Sequence, residues 1–220
     1  MARRPAGRGH GHGHGHGETY HHGDLANALA AVSLELVEQH GHEDFSLREA
    51  ATRCGVAVSS AYKHFASKGE LLHAVADLGF QQLADLMERR VRAATRGLAG
   101  TRKPETRLFE LGRQYILFAA ARPNLFRLMY GPSGPKGGAN DPRPEAPARR
   151  LSALLLGALA EVRKAYQRES TTLEASMVVA WSIVHGFAMM VIDGVWTPRG
   201  KSALEAMITE LGQATLRSLR

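Results

Sequence analysis

Gly55 is the residue that most constrains what this chain can fold into. It separates two short runs whose apolar residues recur at helical spacing. In the first run Leu47, Ala50 and Ala51 fall on one face; in the second Val58, Ala61 and Phe65 do the same. A chain that turns tightly between two helices needs a residue tolerant of positive φ, and glycine, lacking Cβ, is that residue. Ala51, four residues earlier, is small enough to let the two helices cross closely. The layout predicts a helix-turn-helix, with the second helix over roughly 58–65.

The neighbouring signals extend this reading. Asp24 is a plausible N-cap for a first helix carrying Leu25, Leu29, Val32 and Leu36 and stopped by Gly41. Ser46, with Glu49 three residues on, forms a capping box for the second. Ser67 caps a long fourth helix, from Lys68 to about Thr95, which Gly97 and Gly100 end. Pro104 opens a further helix, Pro123 a shorter one, and 131–147 is a Gly/Pro-rich loop. Helices follow at about 148–168, 172–194 and 201–218. No segment shows the alternation of a sheet, so the fold class is all-α. The organisation is a leader over 1–19, expected to be disordered, a three-helix head over 20–67 and a helical body over 68–220.

Composition narrows the compartment. One cysteine, Cys54, excludes an intrachain disulfide and fits a reducing cytosol. Beside the turn it reads as a packed thiol. The longest apolar stretch, Met177 to Val195, is broken by Ser182, His185, Gly186 and Asp193 and reads as too short for a membrane span of about 20 residues. The N-terminus has no apolar core of a secretory signal. A cytoplasmic protein without membrane contact follows by elimination.

The net charge of +7 suggests a polyanionic partner, but its distribution does not. Residues 1–70 hold seven Lys/Arg (3, 4, 8, 48, 53, 63, 68) against eight Asp/Glu (18, 24, 35, 38, 43, 44, 49, 70). Nucleic-acid binding therefore rests on the placement of a few donors. The outer face of the second short helix offers Ser59, Ser60, Tyr62, Lys63 and His64, groups that bond phosphate oxygens and base edges. Lys68 combines a cation with a helix N-terminus, and Ser46 stands at another. The C-terminal arginines Arg89, Arg90, Arg92, Arg149 and Arg150 read as solvated helix faces.

In the body, Tyr115, Phe118, Phe126, Met129, Tyr130, Trp181, His185, Phe187, Met189 and Met190 supply most of the large, soft side chains. Each alone reads as ordinary core; together they suit an adaptable pocket between helices. Trp181, His185 and Met189 share a face and are expected to look into a gap beside Leu125 to Tyr130, where His185 or Tyr115 orients a polar group. Gly186 reads as a close helix contact. His10, His12, His14, His16, His21 and His22 form a metal-capable tract, but no defined metal site or cofactor is assigned. Asp193 and Glu205 are isolated acids. No glycine-rich phosphate loop, HExxH or Gly-x-Ser-x-Gly is present, so no enzyme is expected.

Residues 20–80 resemble the N-terminal domain of the TetR family of bacterial transcriptional regulators. The resemblance is carried by LREAATRCGVAVSSAYKHFASKGELLHAV, from Leu47 to Val75. YHHGDL, from Tyr20 to Leu25, and WSIVHGFAMMVIDG, from Trp181 to Gly194, resemble one branch with a Trp-His-Gly ligand domain. Ala61 departs from it, standing where that branch often has proline, and the His-rich leader has no counterpart. The resemblance implies that Arg48 reads a base, that Ser59, Ser60, Tyr62 and Lys63 face the major groove, and that Tyr62 and His64 touch phosphate. It implies a homodimer built on the last two helices, a double-stranded palindromic operator, and release by a small apolar or amphipathic effector held near Tyr115, Phe118, Phe126, Met129, Tyr130, Trp181, His185 and Met189. The alternatives are a metal-responsive regulator using the leader, and a helical carrier of lipophilic molecules.

Overall fold

The computed structural model describes residues 22–134, 146–167 and 172–219, and there the chain is helical without strands. The helices are α1 (His22–His40), α2 (Leu47–Arg53), α3 (Val58–Tyr62), α4 (Lys68–Ala94), α5 (Arg102–Ala121), α6 (Pro123–Tyr130), α7 (Pro147–Ala165), α8 (Leu173–Ile192) and α9 (Lys201–Leu219). The leader and most of the Gly/Pro-rich loop lie outside the described residues, so the expectations placed on 1–19 and on the histidine tract up to His21 do too.

Local chemistry sets the boundaries. Ser46 Oγ accepts from the Glu49 amide at 3.2 Å, and Ser67 Oγ from the Glu70 amide at 3.2 Å. Glu70 reaches back to accept from the Ala66 amide at 2.8 Å, closing the α4 cap. Glu49 does not return the bond in this way; it pairs with Arg53 at 3.7 Å, so the α2 capping box is half formed. Pro123 and Pro147 stand at the first positions of α6 and α7, where a missing N–H costs nothing. α1 starts at His22, so Asp24 lies in its first turn instead of capping it.

α4, 27 residues and about 40 Å long, joins the two ends of the molecule. It packs on α1 in the head and on α5, α6 and α7 in the body; α5 also meets α7, α8 and α9. The buried apolar residues form one continuous cluster, from Leu29 and Ala51 through Phe80 and Phe126 to Ile208. α8 corrects one expectation. It is long and apolar enough to cross a membrane, because Ser182, His185 and Gly186 interrupt its apolar run without making it polar. Its apolarity is divided: Ala180, Phe187 and Ala188 are buried in the bundle, whereas Val178, Val179, Trp181 and Met190 are exposed.

Candidate functional site

In the head, the turn is built as its sequence demands. Gly55 adopts φ +68°. Its amide donates to the Thr52 carbonyl and the Val56 amide to the Ala51 carbonyl, each at 3.0 Å, the two bonds of a Schellman cap. Ala50, Ala51 and Ala61 are wholly buried, so α2 and α3 cross over methyl groups. α3 is shorter than expected. After Tyr62 the chain tightens, with the amides of Lys63 and His64 bonded to the Ser60 and Ala61 carbonyls three residues back. Phe65 still packs against the core.

The expected reading surface is on one side of this unit. Ser46, Arg48, Ser59, Tyr62 and Lys63 are exposed, and Ser60, His64 and Lys68 are partly so. Tyr62 leaves 54% of its surface in solvent, unusual for so large a ring in a packed helical unit. Lys68 also has a structural task that its sequence position does not announce. Its ammonium donates to the Glu43 carbonyl at 2.8 Å and sits 5.3 Å from the centre of the Phe45 ring. It pins the α1–α2 connection to the start of α4. Cys54 is partly buried, and burial raises its pKa, so it remains a packed thiol.

The body encloses a cavity of about 450 Å³, within the range that drug-sized ligands fill. Its wall draws on α4 to α9, with Phe80, Leu111, Leu155, Met177, Trp181 and Ile208 among the apolar contributors. Tyr115, Met129, Tyr130 and Trp181 line it as the sequence suggested; Phe118, Phe126, His185 and Met189 do not. Phe126 and His185 stand behind the wall in a six-ring cluster. Trp181 stacks on His185 at 4.6 Å and 16°, Phe126 lies tilted against Tyr130 at 4.8 Å and 44°, and Tyr115 meets Phe126 edge-on at 5.2 Å. Phe80 completes it, edge-on to Tyr130 at 5.3 Å. The gap expected beside α6 is thus filled with rings, and the open volume lies beyond them. Phe118 stacks instead with Arg122.

Tyr115 Oη and His185 Nδ1 are 2.9 Å apart. Burial raises the pKa of both Tyr115 and Tyr130 and lowers that of His185, so all three stay neutral. Arg113 also lines the cavity. Glu205 holds its guanidinium through two bonds, 2.9 and 2.7 Å, and Glu110 adds a third at 3.3 Å. Glu205 is therefore paired, as is Asp193, which accepts from Arg127 at 3.0 Å. Arg150 likewise departs from a free solvated face: it bridges α7 to Asp85 and Glu88 on α4 at 2.7 and 2.8 Å.

Comparison with known proteins decides what this pairing of head and cavity is. Residues 29–75 match the family model of bacterial regulatory proteins of the tetR family, and residues 108–211 match the tetracyclin repressor-like C-terminal domain. The chain belongs to the TetR family. It is a DNA-binding transcriptional regulator and not an enzyme. A protein of unknown function from Rhodococcus sp. RHA1 is 26% identical, with a TM-score of 0.69, over 91% of this chain and 98% of that one. A bacterial regulatory protein of the tetR family from Rhodococcus RHA1 is 16% identical, with a TM-score of 0.57 over 89% and 96% of the two chains. The TetR family regulator PfmR from Thermus thermophilus is 17% identical, with a TM-score of 0.57 over 86% and 97%. None of the curated proteins matches the chain.

Within this TetR-family chain, α6 ties the body to the head. At its start Arg122 bonds Glu38 of α1 and Gln82 of α4, and Asn124 donates to the Glu38 carbonyl at 3.1 Å. Further on, Arg127 bonds Asp193 and the Ile192 carbonyl, capping the end of α8. Neither link is visible as a motif. The cavity residues that sequence reasoning missed come from α4, α5 and α8, such as Phe80, Leu111 and Met177, and from the whole contribution of α7 and α9. One signal was available: Gly112 and Gly212 interrupt apolar helices, and isolated helical glycines mark close approach. A methyl group on Gly212 would stand 2.4 Å from the Phe109 ring, and one on Gly112 3.1 Å from Val184. Gly186 is the reverse case. Nothing lies within 4 Å of where its Cβ would be, so within the chain it makes no close helix contact. Among the described residues no three His, Cys, Asp or Glu side chains are grouped to hold a metal ion.

Proposed function

We propose that the protein is a homodimeric repressor that a small apolar or amphipathic effector releases from a palindromic operator. The observation that carries this reading is the continuity from cavity to head. Tyr115, Tyr130 and Trp181 belong both to the cavity wall and to the ring cluster, and that cluster includes Phe126 of α6. α6 is fastened through Arg122 and Asn124 to α1. An effector that repositions those rings moves α6 and alters the angle at which α4 presents the head.

In this reading α1–α3 form the reading head and α4 the joint to the body. Arg48 and Lys63 discriminate bases, with Ser59 and Ser60 beside them in the major groove. Tyr62, His64, Ser46 and Lys68 supply phosphate contacts. One such helix reads only a few base pairs, so two copies read an inverted repeat at heads about 34–36 Å apart. The exposed α8 residues Val178, Val179 and Met190, with Gly186 permitting close approach between copies, make the pairing surface together with α9. The protein acts in the cytoplasm, where its operator is.

Selection of fragments from a random DNA pool by the purified full chain tests this. The reading expects an inverted repeat, bound in a salt-dependent manner. Recovery of unrelated sequences would leave the body with a carrier role and the head without an operator.

A further inference from the structure

We propose that the effector is an uncharged molecule, apolar over most of its length, with one neutral hydrogen-bonding group that meets the Tyr115–Tyr130 end of the cavity. This rests on the reading of the cavity as the effector site and adds its ligand chemistry.

Charge decides the class. Among the described residues lining the cavity, Arg113 is the one that carries charge. Its Nε and Nη2 are taken by the two oxygens of Glu205 and its Nη1 by Glu110. Glu110 Oε1 also accepts from Gln114 at 2.6 Å. The group of one guanidinium and two carboxylates has no positive charge to offer an anion. Its carboxylates are turned to Arg113 and Gln114 and do not line the cavity, so a cation finds no partner there. A cation's other attraction, the faces of aromatic rings, is reduced as well. One face of Trp181 is covered by the stacked His185 ring, and the Tyr130 ring is crowded by the tilted Phe126 ring at 4.8 Å and by Phe80 at 5.3 Å. A charged ligand would thus lose its hydration without compensation.

The polar end is equally specific. The Tyr115 hydroxyl faces His185 Nδ1, and the Tyr130 ring lies 5.7 Å from the Tyr115 ring and 6.4 Å from Trp181. Phenols and a neutral imidazole donate or accept but do not neutralise charge. A hydroxyl, carbonyl or amide suits them. Elsewhere the hydroxyls of Ser152 and Thr215 are turned to backbone carbonyls at 3.4 and 2.9 Å, so the rest of the wall is effectively apolar.

A matched probe series tests this: 1-decanol, decanoate and decylammonium, each titrated at neutral pH into the full chain carrying Trp196→Phe. Trp196 packs on Phe187, so its removal leaves Trp181 as the only indole reporter, on the cavity wall. The expected result is saturable binding of 1-decanol at least roughly tenfold tighter than either ion. Tyr130→Phe should weaken 1-decanol roughly three- to tenfold and leave decane unchanged. Glu205→Gln should strengthen decanoate, because it unmasks Arg113, and leave 1-decanol as before. Leu155→Phe, which grows into the cavity, should weaken all three; its thermal melt shows whether it is folded. Equal binding of an ion and the alcohol, or no saturable binding of 1-decanol up to its solubility, overturns the proposal. Operator binding is measured beside it. If 1-decanol binds as expected but the selected DNA is not released, the ligand class stands and the release mechanism fails.

Discussion

The head and the body hold their functional residues in opposite ways. In the head, short-range chemistry fixes the backbone and leaves the side chains in solvent. Ser46, Gly55 and Ser67 cap or turn helices through bonds to residues within five positions of themselves. In the body, the functional surface is internal and long-range. Its cavity collects residues from Phe80 to Leu216, and its one guanidinium is neutralised across 92 positions. A surface that must meet many DNA sequences before finding one is served by exposed donors on a stiff frame. A surface that must recognise one small molecule is served by burial, which makes an unmatched charge expensive.

Despite this difference, the two regions should unfold together. The apolar core runs through both, and Phe126 is wholly buried in it. Phe126→Ala should cost about 3–5 kcal/mol and still give a single unfolding transition in urea, seen by helix signal and tryptophan emission together. Two separated transitions would show that the head is an independent unit. Next in size, Arg48→Ala should cost about 1–3 kcal/mol in binding at the selected site and relax preference at one base pair per half-site, without changing the melting temperature. Gly55→Ala forces a residue with Cβ into φ +68° and should cost about 1–2 kcal/mol of stability, read in a thermal melt. Glu38→Gln tests the link between regions. The Arg122–Glu38 pair is partly exposed and should contribute only about 0–1 kcal/mol to stability, yet its loss should blunt the DNA response to ligand, read by titrating 1-decanol into the operator complex.

The smallest effect is on pH. Burial holds the imidazole of His185 below its ordinary pKa, so the unfolded chain binds the more protons as pH falls. The contribution to stability is therefore present above the ordinary imidazole range and lost on acidification. Between about pH 7.5 and about pH 5.5, His185→Gln should lose slightly less thermal stability than the wild type. His185 is half-buried and solvent screens it, so the difference is small.

The same contrast explains what could be read in the sequence. The boundaries of α2, α4 and α7–α9 were legible to within a few residues because caps, prolines and glycines act locally. Arg48, Tyr62 and Lys63 are exposed on the head because the apolar pattern of α2 and α3 leaves them no other side. The cavity was only half legible. Tyr115, Met129, Tyr130 and Trp181 line it, but Phe118, Phe126, His185 and Met189 do not, since a four-residue spacing places side chains on one face without saying how far each reaches. The pairings of Arg113 with Glu205 and Arg127 with Asp193 depend on how distant helices cross, which no local pattern encodes. Gly186 and the apolar run of α8, taken as interrupted, were misread for a related reason. Composition shows that a helix is apolar, but not whether the partner of each face lies in the same chain.

In the proposed dimer the paired bodies fix the distance between two reading heads. Fluorescence anisotropy tests it on two labelled fragments carrying the selected half-sites, one as selected and one with about five base pairs, half a helical turn, inserted between them. The insertion should abolish the tight, paired binding and leave only the weak affinity of a single head. Equal affinity for the two fragments would contradict it.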